Sequence, residues 1–273
     1  SPGWVVKLQN QATAALLPAY EELAAQLPAE EVLGIDESPT KEARVKSWLW
    51  TFVASSYTFF TLRTTRAATV LEELLTDAFS GVVNCDRAKM YWNRGRLQWC
   101  WAHLKRDFQA LIDDPDHQVQ RLGRDLMRPT KEMFRHWSRC RDGTITRAGM
   151  LRRMRPIQSE IDGLLLRGEF SGNPKLAGMC KPLYDHRDWL WTFLDVEGVE
   201  PTNNASERAL RPAVIWRKLS FGTQSARGSR FVETILTAVE TCHRQSRNSF
   251  DYLTTAIQAH LAGQPTPSLL AGV

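Results

Sequence analysis

The hexapeptide EVLGID at residues 31–36 marks the point at which the periodicity of the chain changes. The apolar residues before it recur at helical spacing until Pro28 ends the helix, whereas EVLGID is a short apolar run that ends in an acid. A second run of the same kind, GVVNCD, occupies residues 81–86. Short apolar runs of this length are typical of buried strands. The two runs therefore predict an α/β protein.

The segments around these two runs predict a mixed layer of strands and helices. WLWTFVA at residues 48–54 and FFTLRT at residues 59–64 are rich in aromatic and β-branched residues, which favours two strands around a turn. Residues 67–79 have helical periodicity, and RLQWC at residues 96–100 predicts a fifth strand. Residues 31–100 thus read strand, strand, strand, helix, strand, strand, which indicates a mixed sheet with flanking helices.

Helical periodicity dominates the remainder of the chain. One predicted helix ends at Pro129, Thr130 is expected to cap a continuation, and a longer helix is expected to kink near Pro156. The predicted organisation is an N-terminal helix over 1–30, the first part of an α/β core over 31–109, an all-α insertion over 110–195, the last part of the core over 196–262, and a disordered tail over 263–273.

Positive charge is concentrated in a few blocks of the sequence. The chain has 35 Lys and Arg against 30 Asp and Glu, a net charge of +5, and residues 203–230 carry six basic residues against the single acid Glu207. Such blocks are typical of a surface that follows the phosphates of nucleic acid, although solvated helix faces are the alternative. No apolar run is long enough to span a membrane and no signal peptide is recognised, so we expect a cytoplasmic protein without membrane contact.

Three acids are candidates for chemistry. Asp36 and Asp86 end short apolar strands, and if these strands are parallel neighbours both carboxylates converge on one site. A carboxylate pair favours a hard cation such as Mg²⁺ or Mn²⁺, whereas the alternative is that each Asp caps a turn. Glu207 is either a third metal ligand or a salt-bridge partner of Arg208 or Arg211. Three acids with two metal ions suit in-line phosphoryl transfer.

Several local strings then identify a family resemblance. They are IDES (35–38), WLW (48–50), DR (86–87), WCWAHLKRDF (99–108), PTNNASERALRP (201–212) and IWRKLSFGTQSARGSRF (215–231). Together they resemble the bacterial insertion-sequence transposases of family sixty-six, over residues 1–262. Members of this group are DDE transposases with a ribonuclease-H-like core, so the resemblance implies a ribonuclease-H-like sheet interrupted by the helical insertion.

The resemblance also implies site residues and an activity. Asp36, Asp86 and Glu207 match the catalytic acids that bind two Mg²⁺ or Mn²⁺ ions. His103, in a C-x-x-H element with Cys100, is either a catalytic residue or a hydrogen-bonded core histidine. The implied reaction is cleavage of DNA at transposon ends, followed by joining of the 3′-OH to target DNA. Contacts with the DNA backbone are expected from a set of basic residues: Arg208, Arg217, Lys218, Arg227 and Arg230.

The resemblance implies partners as well. A transposase brings two DNA ends together, so a homodimer on DNA in the bacterial nucleoid is expected, with accessory proteins of the same element as further partners. The family's N-terminal helix-turn-helix and zinc modules have no counterpart in the 35 residues before Asp36, so we expect a catalytic domain without them. Two alternatives stay open at this point: a truncated, non-catalytic DNA-binding relic, and a stand-alone ribonuclease-H-like nuclease.

Overall fold

The structure, a computed structural model, describes residues 1–270. Its strands are β1 (Val32–Glu42), β2 (Val45–Val53), β3 (Thr58–Arg63), β4 (Val82–Cys85) and β5 (Arg96–Trp99). Its α-helices are α1 (Pro2–Gln26), α2 (Thr69–Leu75), α3 (Trp101–Ile112), α4 (His117–Arg141), α5 (Arg147–Glu169), α6 (Pro174–Asp185), α7 (Asp188–Asp195), α8 (Asn204–Ser220), α9 (Ala226–Arg244) and α10 (Ser249–Leu261). Short 3₁₀ helices span Leu27–Ala29 and Lys89–Tyr91. The mixed α/β character is therefore confirmed, and so is the order of strands and helix predicted along residues 31–100.

The chain divides into two compact units. The first joins residues 1–97 to the segment that begins at Thr202, and the second is Gln98–Pro201. The first unit holds β1 to β4 and the start of β5, and the second begins within β5 and otherwise consists of α3 to α7. Within residues 1–270, no helix combines the length and the apolar character that crossing a bilayer requires.

The five strands form one mixed sheet in the order β3-β2-β1-β4-β5. β1, β2 and β3 are joined by antiparallel pairing, whereas β1 and β4 are parallel. β1 continues past Asp36 to Glu42, because its second half pairs with β2 from Ser38↔Leu49 to Glu42↔Val45. The prediction that the first acid ends its strand was therefore wrong, since Asp36 lies in the middle of β1.

The free edge of β3 is covered by polar side chains of α9. The backbone N–H of Thr58 donates to Thr241 Oγ1 at 3.2 Å, that of Phe60 donates to Thr237 Oγ1 at 3.0 Å, and that of Leu62 donates to Glu233 Oε1 at 2.6 Å. An uncovered edge strand offers its N–H groups to other chains, so these bonds prevent β3 from pairing with a strand of another molecule. They also explain why the three α9 side chains are buried in an otherwise apolar contact.

The helical unit departs from the sequence prediction at Pro129. α4 runs through this proline without interruption, so Thr130 does not cap a new helix. Its hydroxyl instead donates back to the carbonyl of Leu126 at 2.8 Å. Buried side chains continue on one face of α4 across the proline, among them Leu126 and Met133. This continuous apolar face offsets the hydrogen bond that Pro129 removes.

The predicted disordered tail was wrong for residues 263–270. Leu269 is buried, and its carbonyl accepts a hydrogen bond from Gln245 Nε2 at 2.6 Å. The hydroxyl of Tyr252 donates to the carbonyl of Pro267 at 2.9 Å, and that of Thr266 donates to the carbonyl of Ala15 at 2.8 Å. The remainder of the predicted tail, residues 271–273, lies outside the described residues.

Candidate active site

The parallel pairing of β1 with β4 brings Asp36 and Asp86 to the same level of the sheet. The register is Val32↔Val82, Leu33↔Val83 and Gly34↔Asn84. Continuing it by two residues sets Asp86, directly after β4, beside Asp36 on β1. Neighbouring strands lie about 4.8 Å apart, so the two acids occupy adjacent backbone positions although they are distant in sequence.

Helix α8 is fixed against these two strands at its N-terminal end. Asn84 Nδ2 donates to the carbonyl of Thr202 at 3.1 Å, and Asn203 Nδ2 donates to the carbonyl of Ile35 at 2.7 Å. Asn203 occupies the N-cap position of α8, and its side chain forms no capping bond. Its amide group holds β1 instead. Glu207 lies one turn into the helix, and its N–H donates to the carbonyl of Asn203 at 3.2 Å.

A glycine on β1 permits this close approach of α8. A Cβ atom added at Gly34 would lie 2.5 Å from Ser206 Oγ and 3.0 Å from Asn203 Oδ1. Real Cβ contacts are longer than this, so any larger residue would push the first turn of α8 away from the strand. The glycine of EVLGID therefore allows the first turn of α8 to pack closely on β1.

The charges of the other two acids act on the Asp36 carboxylate. Burial raises the pKa of Asp36 to about 6, and the negative charges of Asp86 and Glu207 add to that increase. The backbone N–H of Glu37, which donates to Asp36 Oδ1 at 2.9 Å, and the charge of Arg66 oppose it. Like charges that raise a pKa in this way favour either a proton or a cation between them. An oxygen-only donor set of this kind suits Mg²⁺ or Mn²⁺.

Arg66 connects this cluster to a buried acid on the other face of β1. Its Nε donates to Glu37 Oε1 at 2.5 Å, and its Nη2 lies 3.6 Å from Asp86 Oδ2. The buried hydroxyl of Tyr91 donates to the second oxygen of Glu37. Burial raises the pKa of Glu37 to about 7, while the Tyr91 hydrogen bond and the Arg66 charge oppose that increase.

Sequence reasoning missed the connection that Arg66 makes. The candidate acids did not include Glu37, and no role was predicted for Arg66 or Tyr91. Arg66 lies between β3 and α2 in a segment without periodicity. No local signal in the sequence could have found this ion pair.

The predicted residue His103 belongs to the helical unit. It lies in the first turn of α3, where its N–H donates to the carbonyl of Cys100 at 3.1 Å. Cys100 occupies the N-cap position of that helix and is buried. A catalytic role for His103 stays a prediction.

The basic residues predicted to contact DNA lie on α8 and α9. Arg208, Lys218 and Arg227 are exposed. Arg217 is partly buried, and its Nη1 donates to Ser38 Oγ at 2.9 Å, two residues from Asp36 along β1. Arg230 pairs with Glu233 at 3.2 Å and its guanidinium lies over the ring of Tyr20, so this arginine supports the α9 contact with the sheet.

Comparison with known proteins covers most of the chain. The chain is 25% identical over 261 residues to an uncharacterized protein, y4qI, of Sinorhizobium fredii (strain NBRC 101917 / NGR234). That match covers 86% of this chain and 47% of the relative, so the chain spans about half the length of the curated relative it matches. The model of the transposase IS66 family matches residues 1–230, which include the three acids and most of the basic α8–α9 segment. The chain therefore belongs to the transposase IS66 family.

Proposed function

We propose that this chain is the catalytic domain of a DDE transposase with a ribonuclease-H-like core. The observation that carries the proposal is the parallel β1–β4 register, which sets Asp86 beside Asp36, together with the Asn203 hydrogen bond that fixes the Glu207 helix to β1. The sheet order β3-β2-β1-β4-β5, with β1 antiparallel to β2 and parallel to β4, supports the ribonuclease-H-like assignment.

The three acids are the proposed ligands of two Mg²⁺ or Mn²⁺ ions. When bound, such ions supply activation of the attacking oxygen and stabilisation of the leaving oxygen in phosphoryl transfer. The protein supplies the arrangement of the carboxylates. Asp86 is held by the backbone N–H of Ala88, which donates to its Oδ1 at 2.8 Å, while its Oδ2 faces Arg66.

The DNA substrate accounts for the basic surface on α8 and α9. Phosphate contacts from Arg208, Arg217, Lys218, Arg227 and Arg230 would orient the DNA backbone without reading its sequence. The proposed reaction frees a 3′-OH at each transposon end and joins it to target DNA. Two ends must be brought together, which is why the proposal includes a homodimer on DNA and allows for accessory proteins of the same element. His103 is kept as a candidate catalytic residue.

The first test is calorimetric titration of Mg²⁺ and Mn²⁺ into the wild type and into the Asp36→Asn/Asp86→Asn variant. We expect binding to the wild type and its loss in the variant, because the substitutions remove two charged ligands without changing side-chain volume. Asp77→Asn, at an exposed carboxylate, is the matched control and should bind like the wild type. Equal binding by all three proteins would contradict the metal assignment.

The second test separates the transposase from the two alternative functions. A plasmid and an oligonucleotide with a free 3′-OH are incubated with Mn²⁺ and either the wild type or Asp86→Ala. Joined product with the wild type and none with the variant would support the transposase. Nicking without joining would favour the stand-alone nuclease, and DNA binding without either reaction would favour the non-catalytic relic.

A further inference from the structure

An exposed aromatic residue at the end of α8 occupies a strained backbone position. Phe221 is 80% exposed and has a φ of 60° and a ψ of 22°, in the left-handed region. Helices that end in this conformation usually carry glycine there, because any Cβ is strained. A large apolar side chain that is both strained and solvated contributes little to folding. Retained strain of this kind clusters at binding and catalytic sites.

The backbone around Phe221 is held firmly by the β1–β2 hairpin. The N–H of Thr223 donates to the carbonyl of Lys41 at 2.9 Å, and the N–H of Ala43 donates to the carbonyl of Thr223, also at 2.9 Å. Gly222 is required between them, since a Cβ there would lie 2.3 Å from the carbonyl oxygen of Lys41. The hairpin turn is itself strained, with φ of 47° at Ala43 and 69° at Arg44. The ring of Phe221 therefore projects from a fixed support.

Phe221 forms one wall of an open pocket with positively charged sides. The pocket has a volume of about 400 Å³, and its lining residues are Pro39, Thr40, Lys41, Lys46, Arg217 and Phe221. This volume falls in the roughly 300–1,000 Å³ range of small-molecule sites. The charged lining residues are all cations. An aromatic wall between cations matches a planar base that is attached to a phosphate.

The pocket also lies at a defined distance from the acids. Thr40 and Lys41 are four and five residues beyond Asp36 on β1, and a strand rises about 3.3 Å per residue, which gives roughly 13–17 Å. A DNA strand rises about 3.4 Å per nucleotide. A strand with its reacting phosphate at Asp36 would thus reach the pocket about four or five nucleotides away.

We propose that Phe221, Lys41, Lys46 and Arg217 form a binding site for one unpaired nucleotide of the DNA substrate, with its base stacked on Phe221 and its phosphate held by the cations. This inference rests on the proposed function, since it assumes that the acids act on DNA. It adds a contact with an unpaired base to the backbone contacts of the α8–α9 surface. The site therefore favours DNA whose strands are separated near the reacting phosphate.

The test compares binding to two DNA probes by fluorescence anisotropy at one fixed salt concentration. One probe is a fully paired duplex, and the other carries a single-stranded extension of six nucleotides. The wild type should bind the extended duplex about tenfold more tightly, the effect expected from stacking one base on an aromatic ring. Phe221→Ala should lose this preference and keep its affinity for the paired duplex, whereas Phe221→Trp should retain the preference.

A matched control and a second signal make the test specific. Phe250 on α10 is 75% exposed, and Phe250→Ala should behave like the wild type. A 2-aminopurine base placed four or five nucleotides from the duplex junction should be quenched by the wild type and not by Phe221→Ala. An unchanged preference and unchanged quenching in Phe221→Ala would overturn the inference.

Failure of the proposed function is distinguishable from failure of this inference. If the wild type joins strands while Phe221→Ala keeps its preference, the nucleotide site alone is wrong. If the wild type binds neither probe, the proposed function fails and the site fails with it. If Phe221→Ala instead converts a dimer to a monomer in sedimentation experiments without DNA, the surface is an interface between copies of the chain, which also overturns the inference.

Discussion

Arg66 places its guanidinium 3.6 Å from the Asp86 carboxylate. The same guanidinium forms an ion pair with the buried carboxylate of Glu37, which also accepts a hydrogen bond from Tyr91. One cation therefore pairs with two acids, Glu37 on β1 and Asp86 directly after β4. Asp86 is 31% exposed whereas Glu37 is 1% exposed, so the two acids depend on Arg66 to different degrees.

Removal of Arg66 should destabilise the protein through Glu37. Arg66→Ala leaves a buried carboxylate without its cation, and we expect a loss of about 1–3 kcal/mol at pH 8, less than for a fully buried pair because Arg66 is 41% exposed. The Arg66→Ala/Glu37→Gln variant should recover most of this loss, since a neutral amide needs no counter-ion. Urea unfolding of the wild type, Arg66→Ala, Glu37→Gln and the double variant measures the coupling free energy between Arg66 and Glu37.

The dependence on pH provides the control for this prediction. Burial raises the pKa of Glu37 to about 7 even with Arg66 present, so at pH 5 the carboxyl group of Arg66→Ala is protonated. The loss in free energy of unfolding caused by Arg66→Ala should therefore be present at pH 8 and nearly absent at pH 5. A loss of equal size at both pH values would show that Arg66 acts through packing on Trp48, over whose ring it lies, and not through charge.

The ionised carboxylate of Asp36 should lower the free energy of unfolding at neutral pH in the absence of metal. Its pKa in the folded protein is about 6, above the value of 3.8 for the free group, so the folded state binds the proton more tightly. The resulting stabilisation is complete below about pH 4 and is lost as the pH rises through 6. Asp36→Asn should therefore be more stable than the wild type by about 1–3 kcal/mol at pH 8 and equal to it near pH 4. Urea unfolding at both pH values measures the difference.

Two controls accompany the Asp36 prediction. Asp77→Asn, at an exposed position, should match the wild type at both pH values. Mg²⁺ should stabilise the wild type at pH 8 and leave Asp36→Asn unchanged, because a cation relieves the same repulsion that the substitution removes. If Asp36→Asn is less stable than the wild type at pH 8, the carboxylate is making a favourable contact and the assigned repulsion is wrong.

The sequence was sufficient for the parts of the site that lie on regular strands. Short apolar runs ending in Asp36 and Asp86 predicted two strands, and the structure shows that these strands are parallel neighbours. Glu207 stood out as the single acid of a basic block. These signals are local, which is why periodicity and charge could reveal them.

The features that sequence analysis missed depend on contacts between distant segments. Arg66 meets Glu37 and Asp86 only when β1, β4 and the segment after β3 come together, and nothing in its neighbourhood marks it. Leu269 is buried because the tail packs beside the end of α9 and against α10, where Gln245 and Tyr252 donate hydrogen bonds to its carbonyl groups. The proline-containing sequence of the tail does not reveal these contacts. Pro129 does not end α4, because the apolar face of the helix continues across it, and local helix preference alone does not show that face.

Gly34→Ala should separate Glu207 from Asp36. The added methyl group would lie 2.5 Å from Ser206 Oγ, so the first turn of α8 has to move away from β1. A displacement of about 1 Å at a catalytic group can cost roughly 100-fold in rate. We therefore expect strand joining to fall at least tenfold while the protein stays folded, measured by the plasmid assay alongside circular dichroism.

A second substitution tests whether this loss is steric. Within residues 1–270 the Ser206 hydroxyl is buried without a hydrogen-bond partner, so Ser206→Ala alone should keep full activity. The Gly34→Ala/Ser206→Ala variant removes the atom closest to the new methyl group and should recover part of the lost activity. If the double variant is no more active than Gly34→Ala, the close approach of α8 is not what positions Glu207.

Phe221→Gly should stabilise the protein while impairing its binding to DNA with an unpaired base. Glycine adopts the left-handed conformation at φ 60° without strain, and the exposed ring buries little surface, so we expect a gain of about 1 kcal/mol in the free energy of unfolding. Phe221→Ala keeps a Cβ and should change stability much less, which makes it the matched control in urea unfolding. A loss of stability in Phe221→Gly would mean that the ring contributes packing. A gain in stability together with a loss of the preference for extended DNA is expected if the strain at Phe221 is retained for binding.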